Sequence, residues 1–257
     1  MSATSLRCLV TGAGRGIGRG IAHDLISAGH QVVLTARTES ELLESAGGAS
    51  NAHIITGDVT TDATELVRKA TALLGGLDVL VLNAGEGISS KFEKTSDELW
   101  SSQIALNLTA PFQMIREAIP AMKSQGFGRI VVVASSAGKI GAAYITAYSA
   151  AKHGVLGLVR SVAAENTESG VTINAVCPGF VDTSMTQRSV ANIMARTGKS
   201  KEEAIAGLVA HEPHKRLLTV QEVSDSVIRL INGNSNGVAV DLPESDLPER
   251  DSHVGTD

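Results

Sequence analysis

Thr11-Gly12-Ala13-Gly14-Arg15-Gly16-Ile17-Gly18 is the stretch that decides how this chain folds. It directly follows an apolar, β-rich run from Leu6 to Thr11 and leads into a helical stretch. At such a strand-to-helix turn, free backbone amides and the helix dipole favour a pyrophosphate. The glycines follow G-x-x-x-G-x-G and not G-x-G-x-x-G, so the reading rests on their position after the first strand more than on their spacing.

Working outward from that loop, further apolar runs recur at Gln31 to Ala36, Ala52 to Thr56, Val79 to Asn83, Arg129 to Ser135 and Val171 to Cys177, with helical stretches between them. Such alternation predicts βαβ units. The runs are nearly continuous in Val, Ile and Leu, which predicts a parallel sheet covered by helices on both faces. The fold class is therefore α/β: a doubly wound parallel sheet of about seven strands, in one domain over residues 1–241. Thr38 to Glu41 has the form of a capping box opening the helix after the second strand, and Ser96-Asp97-Glu98 opens a long helix reaching about Lys123, bent at Pro111. Residues 184–215 read as two short amphipathic helices with no strand between them, an insertion of the size of a lid. From Leu242 onward, LPESDLPERDSHVGTD is acidic with almost nothing to bury, the composition of a disordered tail at 242–257.

The whole-chain composition narrows the function. A net charge of −5 supplies no field to hold a phosphate backbone, which excludes a nucleic-acid partner and points to small molecules. Two cysteines, Cys8 and Cys177, lie in apolar strands and cannot form a framework of bridges, which fits a reducing cytoplasm. No basic segment followed by an apolar one opens the chain, and no apolar run is long enough for a membrane. The seven histidines form no metal cluster; His211 and His214 lack a third ligand.

Two positions bear on which nicotinamide cofactor the loop takes. Where a site selective for NAD places an acid at the end of the second strand, this chain has Ala36 followed by Arg37. Arg15 and Arg37 offer fork-shaped donors for a 2′-phosphate, which favours NADP(H). Glu39, the nearest acid, suits a helix first turn.

Tyr148 and Lys152 stand four residues apart in Tyr-Ser-Ala-Ala-Lys, which on a helix puts both side chains on one face. An ammonium close to a phenol is expected to lower its pKa toward working pH and make it a usable proton donor. Ser135 ends an apolar strand, where ligands of open α/β sheets collect. Ser136 is chemically equivalent, but successive strand residues point to opposite sides and at most one faces the site.

In order, TGAGRGIG, Asn83-Ala84-Gly85, Ser135, Tyr148-x-x-x-Lys152 and Pro178-Gly179 resemble the short-chain dehydrogenase/reductase family over about residues 5 to 240. The resemblance implies a Rossmann sheet. It implies that Ser135 holds the substrate oxygen, that Tyr148 transfers the proton, that Lys152 binds the nicotinamide ribose and that Asn107 holds a water in a proton relay. It further implies cofactor contacts from Gly12, Arg15, Gly16, Ile17, Gly18, Arg37, Asp58, Val59, Asn83, Ala84, Gly85, Tyr148, Lys152, Pro178, Gly179, Val181 and Thr183. Tyr144, without a lysine four residues on, is assigned with Ser135 and Tyr148 to the substrate wall. Asp58 also suits a turn cap and Asn83 a tie between strands. The framework is similar to bacterial 3-oxoacyl thioester and acetoacetyl reductases, and implies a homo-oligomer paired through the helices after Asp97 and Tyr148.

One departure is at the carboxyl end, where Asn236 to Pro243 replaces the family's glycine-rich stretch and makes tetramer formation by that edge less expected than a dimer. The lid's Met185, Ile193, Met194, Ile205 and Leu208 suit an apolar wall or a small local core. Its Arg188, Arg196, Lys199 and Lys201 read as a solvated basic face. The sequence thus predicts an NADP(H)-dependent enzyme that reduces a ketone to a secondary alcohol. The alternatives are an NAD-dependent secondary alcohol dehydrogenase and a non-catalytic nicotinamide-sensing protein.

Overall fold

The structure, a computed structural model, describes residues 5–212 and 214–243. Seven strands form one sheet: β1 (Arg7–Thr11), β2 (Gln31–Ala36), β3 (Ala52–Thr56), β4 (Val79–Leu82), β5 (Gly128–Val133), β6 (Val171–Pro178) and β7 (Ala239–Leu242). Their order is β3-β2-β1-β4-β5-β6-β7, with every neighbouring pair parallel. The chain reverses its winding between β1 and β4, the point at which open sheets of this kind bind ligands.

Alternation along the strands divides the core into two layers. Leu9, Val33, Leu80, Ile130 and Ile173 face α3 (Val59–Leu74), α5 (Ala110–Gln125) and α6 (Thr146–Glu165). Cys8, Val10, Val32, Leu34, Val79, Val81 and Val131 face α1 (Gly16–Ser27), α2 (Glu39–Ala46) and α9 (Val220–Asn232). This is the two-sided cover that the continuous apolar runs predicted. Helix α9 shows how local chemistry sets an element. Thr219 and Glu222 close a capping box at its start, and Val223, Val227, Leu230 and Ile231 recur at helical spacing on the buried face.

Four local expectations are corrected. Thr38 does begin α2, but its side chain makes no capping bond, because Glu41 turns away to Arg15. The long helix is broken in register: α4 (Asp97–Ile104) and α5 flank a π-helical turn at Ala105–Thr109, and Pro111 sits at the start of α5. Proline has no amide to donate back, and the wider turn accommodates it. Strand β5 ends at Val133, so Ser135 lies two residues beyond it. Leu242, expected to open the tail, is the buried last residue of β7. The rest of the expected tail, 244–257, lies outside the described residues.

The 184–215 insertion forms α7 (Ser184–Thr197) and α8 (Lys201–Leu208) with no strand between them. Val190 and Ala204 are buried there, while Met185 and Met194 remain partly exposed. No helix among the described residues is long and apolar enough to cross a membrane.

Candidate active site

The expected site residues gather at the carboxyl ends of the strands. Gly12 adopts φ +63°, and a Cβ there would press to 2.9 Å from Asn83 Nδ2 and 3.0 Å from Ala84 Cα. Gly18 packs against the Gly12 carbonyl with no room for a side chain. Thr11 Oγ1 accepts from the amides of Asn83 and Ala84 at 2.9 and 3.0 Å, and Asn83 Nδ2 donates to the Thr11 carbonyl at 3.0 Å. Asn83 therefore ties β4 to β1, as its alternative reading held. Arg15, the residue before α1, supplies no side-chain cap, which leaves the first amides of that helix for a ligand. Glycine backbone and uncapped amides together fit a pyrophosphate group.

Around that loop the partners are mixed. Arg15 Nη1 lies 3.4 Å from Glu41 Oε1, both partly exposed. Glu41 also lies over Gly14, whose Cβ would meet Glu41 Oε2 at 3.1 Å and Ala36 Cβ at 3.6 Å. Asp58 caps α3, accepting from Thr60 N and Oγ1 at 2.9 and 2.8 Å. Burial pushes Asp58 up, but these bonds and the charge of Arg37 outweigh it and hold it below the ordinary carboxylate value. Val59 sends its side chain into one core layer, and the partly buried Ile17 packs against the other.

The candidate catalytic residues converge. Ser135 Oγ accepts from the Ala137 amide at 3.1 Å, and Ser135 lies near enough to the Tyr148 phenol to act on its titration. Ser135, not Ser136, is the serine that acts on the tyrosine. Lys152 is 4% exposed, donates from Nζ to the Val133 carbonyl at 2.9 Å, and lies 5.5 Å from the Tyr148 ring centroid. Asn107, on the π turn, donates to the Glu86 and Gln103 carbonyls, while its buried Oδ1 has no partner. A Cβ on Gly85 would lie 2.9 Å from Asn107 Oδ1 and 3.5 Å from Lys152 Nζ; one on Gly87 would lie 3.4 Å from the Tyr148 ring. Segment 85–87 thus walls one side of the reacting groups.

The electrostatics correct one expectation. Burial pushes the Tyr148 phenol up, with Ser135 acting in the opposite direction. Burial also brings Lys152 down to about 8. Burial prevails at the phenol, and the lysine does not draw it down as the four-residue spacing had suggested.

The remaining expected residues lie at the rim. Thr183 precedes α7 and stands 3.5 Å from where a Gly16 Cβ would be. Val181 is buried and forms an isolated bridge to Leu218. Pro178 ends β6, and Gly179 lies against the Glu212 carboxyl. Tyr144 is exposed at φ 69°, its carbonyl accepting from Ser90 N at 2.7 Å.

Some members of the site were not foreseen. Arg19 donates to the Gly14 carbonyl and to Ser45 Oγ, bracing the glycine loop from within α1. Thr11 could have been found as the residue opening the TGAGRGIG stretch. Arg188, read as part of a solvated basic face, instead pairs with Glu86 at 3.2 Å.

Comparison with known proteins agrees with this fold. Residues 7–193 match the family model described as short chain dehydrogenase. The chain belongs to the short-chain dehydrogenase/reductase family. It is 34% identical over 231 residues to a D-beta-hydroxybutyrate dehydrogenase of Rhizobium meliloti, covering 86% of this chain and 90% of that one. It is 34% identical over 223 residues to the 3-oxoacyl-[acyl-carrier-protein] reductase FabG of Escherichia coli, covering 85% and 86%. Among solved structures, a variant actinorhodin polyketide ketoreductase with NADPH superposes with a TM-score of 0.86 at 33% identity, covering 94% of this chain and 97% of that one. The protein is thus an oxidoreductase of this family, with ketoreductases among its relatives, and family members of this type use a nicotinamide cofactor.

Proposed function

We propose that the protein is an NADP(H)-dependent reductase that converts a small 3-oxoacyl-type ketone to a secondary alcohol. The observation that carries this is the Tyr148 ring 5.5 Å from Lys152 Nζ, with Asn107 and Lys152 meeting at Gly85 and Ser135 close to the phenol. In this reading the glycine loop and the first amides of α1 hold the pyrophosphate, and Arg15 with Arg37 holds the 2′-phosphate. When bound, the cofactor supplies the hydride. Ser135 Oγ orients the substrate carbonyl oxygen. The Tyr148 O–H bond breaks as its proton passes to that oxygen, the carbonyl carbon gaining its new C–H bond at the same time. Lys152 holds the cofactor ribose, and Asn107 Oδ1 accepts a hydrogen bond from a water that returns a proton toward Lys152. Helices α7 and α8 close over the bound substrate. The setting is a reducing cytoplasm, with two copies paired through the α4 and α6 helices.

Replacing Tyr148 with Phe tests the chemistry. It is expected to lower ketone reduction by about 10²- to 10⁴-fold, the worth of a placed general acid, while NADPH binding followed by fluorescence is kept. Near-normal turnover refutes the assignment.

One observation favours a second reading, an NAD-linked alcohol dehydrogenase: Glu41 lies over Gly14 beside Ala36, where an acid can meet ribose hydroxyls. Initial rates with the two reduced cofactors decide between them. A strong NADH preference makes Glu41, and not the arginines, the selecting group.

A further inference from the structure

We propose that Arg188 recognises a carboxylate on the substrate, so that the favoured ketone is a short free oxo acid; this rests on the ketone-reductase reading above. The argument begins with Glu86. It stands between Gly85, which lies against Asn107 and Lys152, and Gly87, which lies against the Tyr148 ring. Glu86 therefore sits between two glycines that lie against the groups that handle the carbonyl, and its own carbonyl is held by Asn107 Nδ2 at 3.1 Å.

Arg188 reaches Glu86 from the other wall of the cleft. It lies in the second turn of α7, the helix that begins at Thr183 beside the glycine loop. Its Nη2 donates to Glu86 Oε1 at 3.2 Å across 102 residues of sequence. The ion pair bridges the lid and the segment that lines the reacting groups.

Three properties suit this guanidinium to a substrate anion. First, the pair is accessible, the side chains being 48% and 39% exposed, and such pairs contribute only ~0–1 kcal/mol. Second, one nitrogen of the fork makes the bond to Glu86, and the guanidinium has further donors on a side chain that is 48% exposed. A substrate carboxylate can take two of them in parallel. Third, the lysines nearest the site are committed elsewhere. Lys152 donates to Val133, and Lys139 pairs with Asp241 at 2.8 Å while donating to the Ala239 carbonyl. Glu86 is thus the resting counter-ion that an acidic substrate displaces.

The source of the anion matters, because the phosphate of a carrier thioester offers the same chemistry. A carrier phosphate is separated from the ketone by the whole pantetheine arm. Glu86 lies on the segment that lines the catalytic groups, which favours a carboxylate on the ketone's own short chain.

The test compares acetoacetate, its ethyl ester and acetoacetyl-coenzyme A with the full chain and NADPH. The free acid is expected to show the highest kcat/KM. Arg188→Gln should raise its KM at least about tenfold, a loss of ~1.4 kcal/mol, and leave the ester unchanged. Glu86→Gln should lower the KM for the acid by removing its competitor. The proposal is overturned if Arg188→Gln weakens acid and ester equally, which makes the pair a lid latch only, or if the thioester is preferred and loses its affinity with Arg188. Reduction of the ester that depends on Tyr148, with no preference for the acid, overturns the carboxylate proposal and leaves the reductase reading standing. No reduction of any of the three overturns both.

Discussion

At the scale of single residues, the buried pair of Tyr148 and Lys152 sets a pH dependence. Burial holds Lys152 down to about 8 and pushes Tyr148 up, so near neutrality both carry their protons. Ketone reduction needs a protonated phenol and a charged lysine, and is expected to fall as pH rises through about 8. Alcohol oxidation needs the phenolate and is expected to rise over the same range. Paired rate profiles in the two directions check this, and a flat reductive profile across that range contradicts it. The shared helix face of the tyrosine and lysine and the strand-end place of the serine were legible as local facts, and their roles came from the resemblance to the family. The lysine's effect on the phenol was not legible, since it depends on how deeply the fold buries each group.

At the scale of elements, the glycine loop and α1 form one rigid cradle. Gly12→Ala brings a Cβ against Asn83 and Ala84 at a φ that side chains rarely adopt. It is expected to weaken NADPH binding by at least about tenfold and to cost ~1–3 kcal/mol of stability. Titration calorimetry and thermal melts on the same sample check both. Unchanged affinity would mean that the loop does not hold the cofactor. Six of the seven strands and the two lid helices could be read from apolar runs and helical periodicity, while β7 could not. The π turn could not, because it arises where the helix from Asp97 must pass Pro111 while keeping Asn107 directed inward. Glu41 was read as a capping partner and serves instead as the counter-ion of Arg15, since a charge 26 residues away in sequence competes better than a local amide. Glu41→Gln should therefore free Arg15 and raise the preference for NADPH over NADH, measured as a ratio of dissociation constants.

At the scale of the whole molecule, function and stability sit at opposite ends of the sheet. At the amino ends of the strands Arg7 pairs with Asp78 at 2.7 Å and reaches Gln125, joining β1, β4 and the end of α5. Burial pushes Asp78 up, but its bonds from Arg7 outweigh that and hold it below the ordinary carboxylate value. A depressed folded-state pKa adds stability that is present above the unfolded value and lost as pH falls through the folded one. Asp78→Asn is expected to cost ~1–3 kcal/mol near neutrality and to flatten the acid side of the melting curve against pH. An unchanged acid side would show that the pair carries no linkage. This clamp was not legible in the sequence, because its partners lie 71 residues apart and only strand order brings them together. At the other end, each parallel strand delivers one segment: the glycine loop after β1, Arg37 after β2, Asp58 after β3, Asn83 to Glu86 after β4, Ser135 after β5 and Thr183 after β6. The site is in effect a set of interchangeable cartridges on a common frame. Grafting the 184–215 segment of a relative should change which ketones are accepted and leave the proton-transfer groups, carried on other cartridges, in working order.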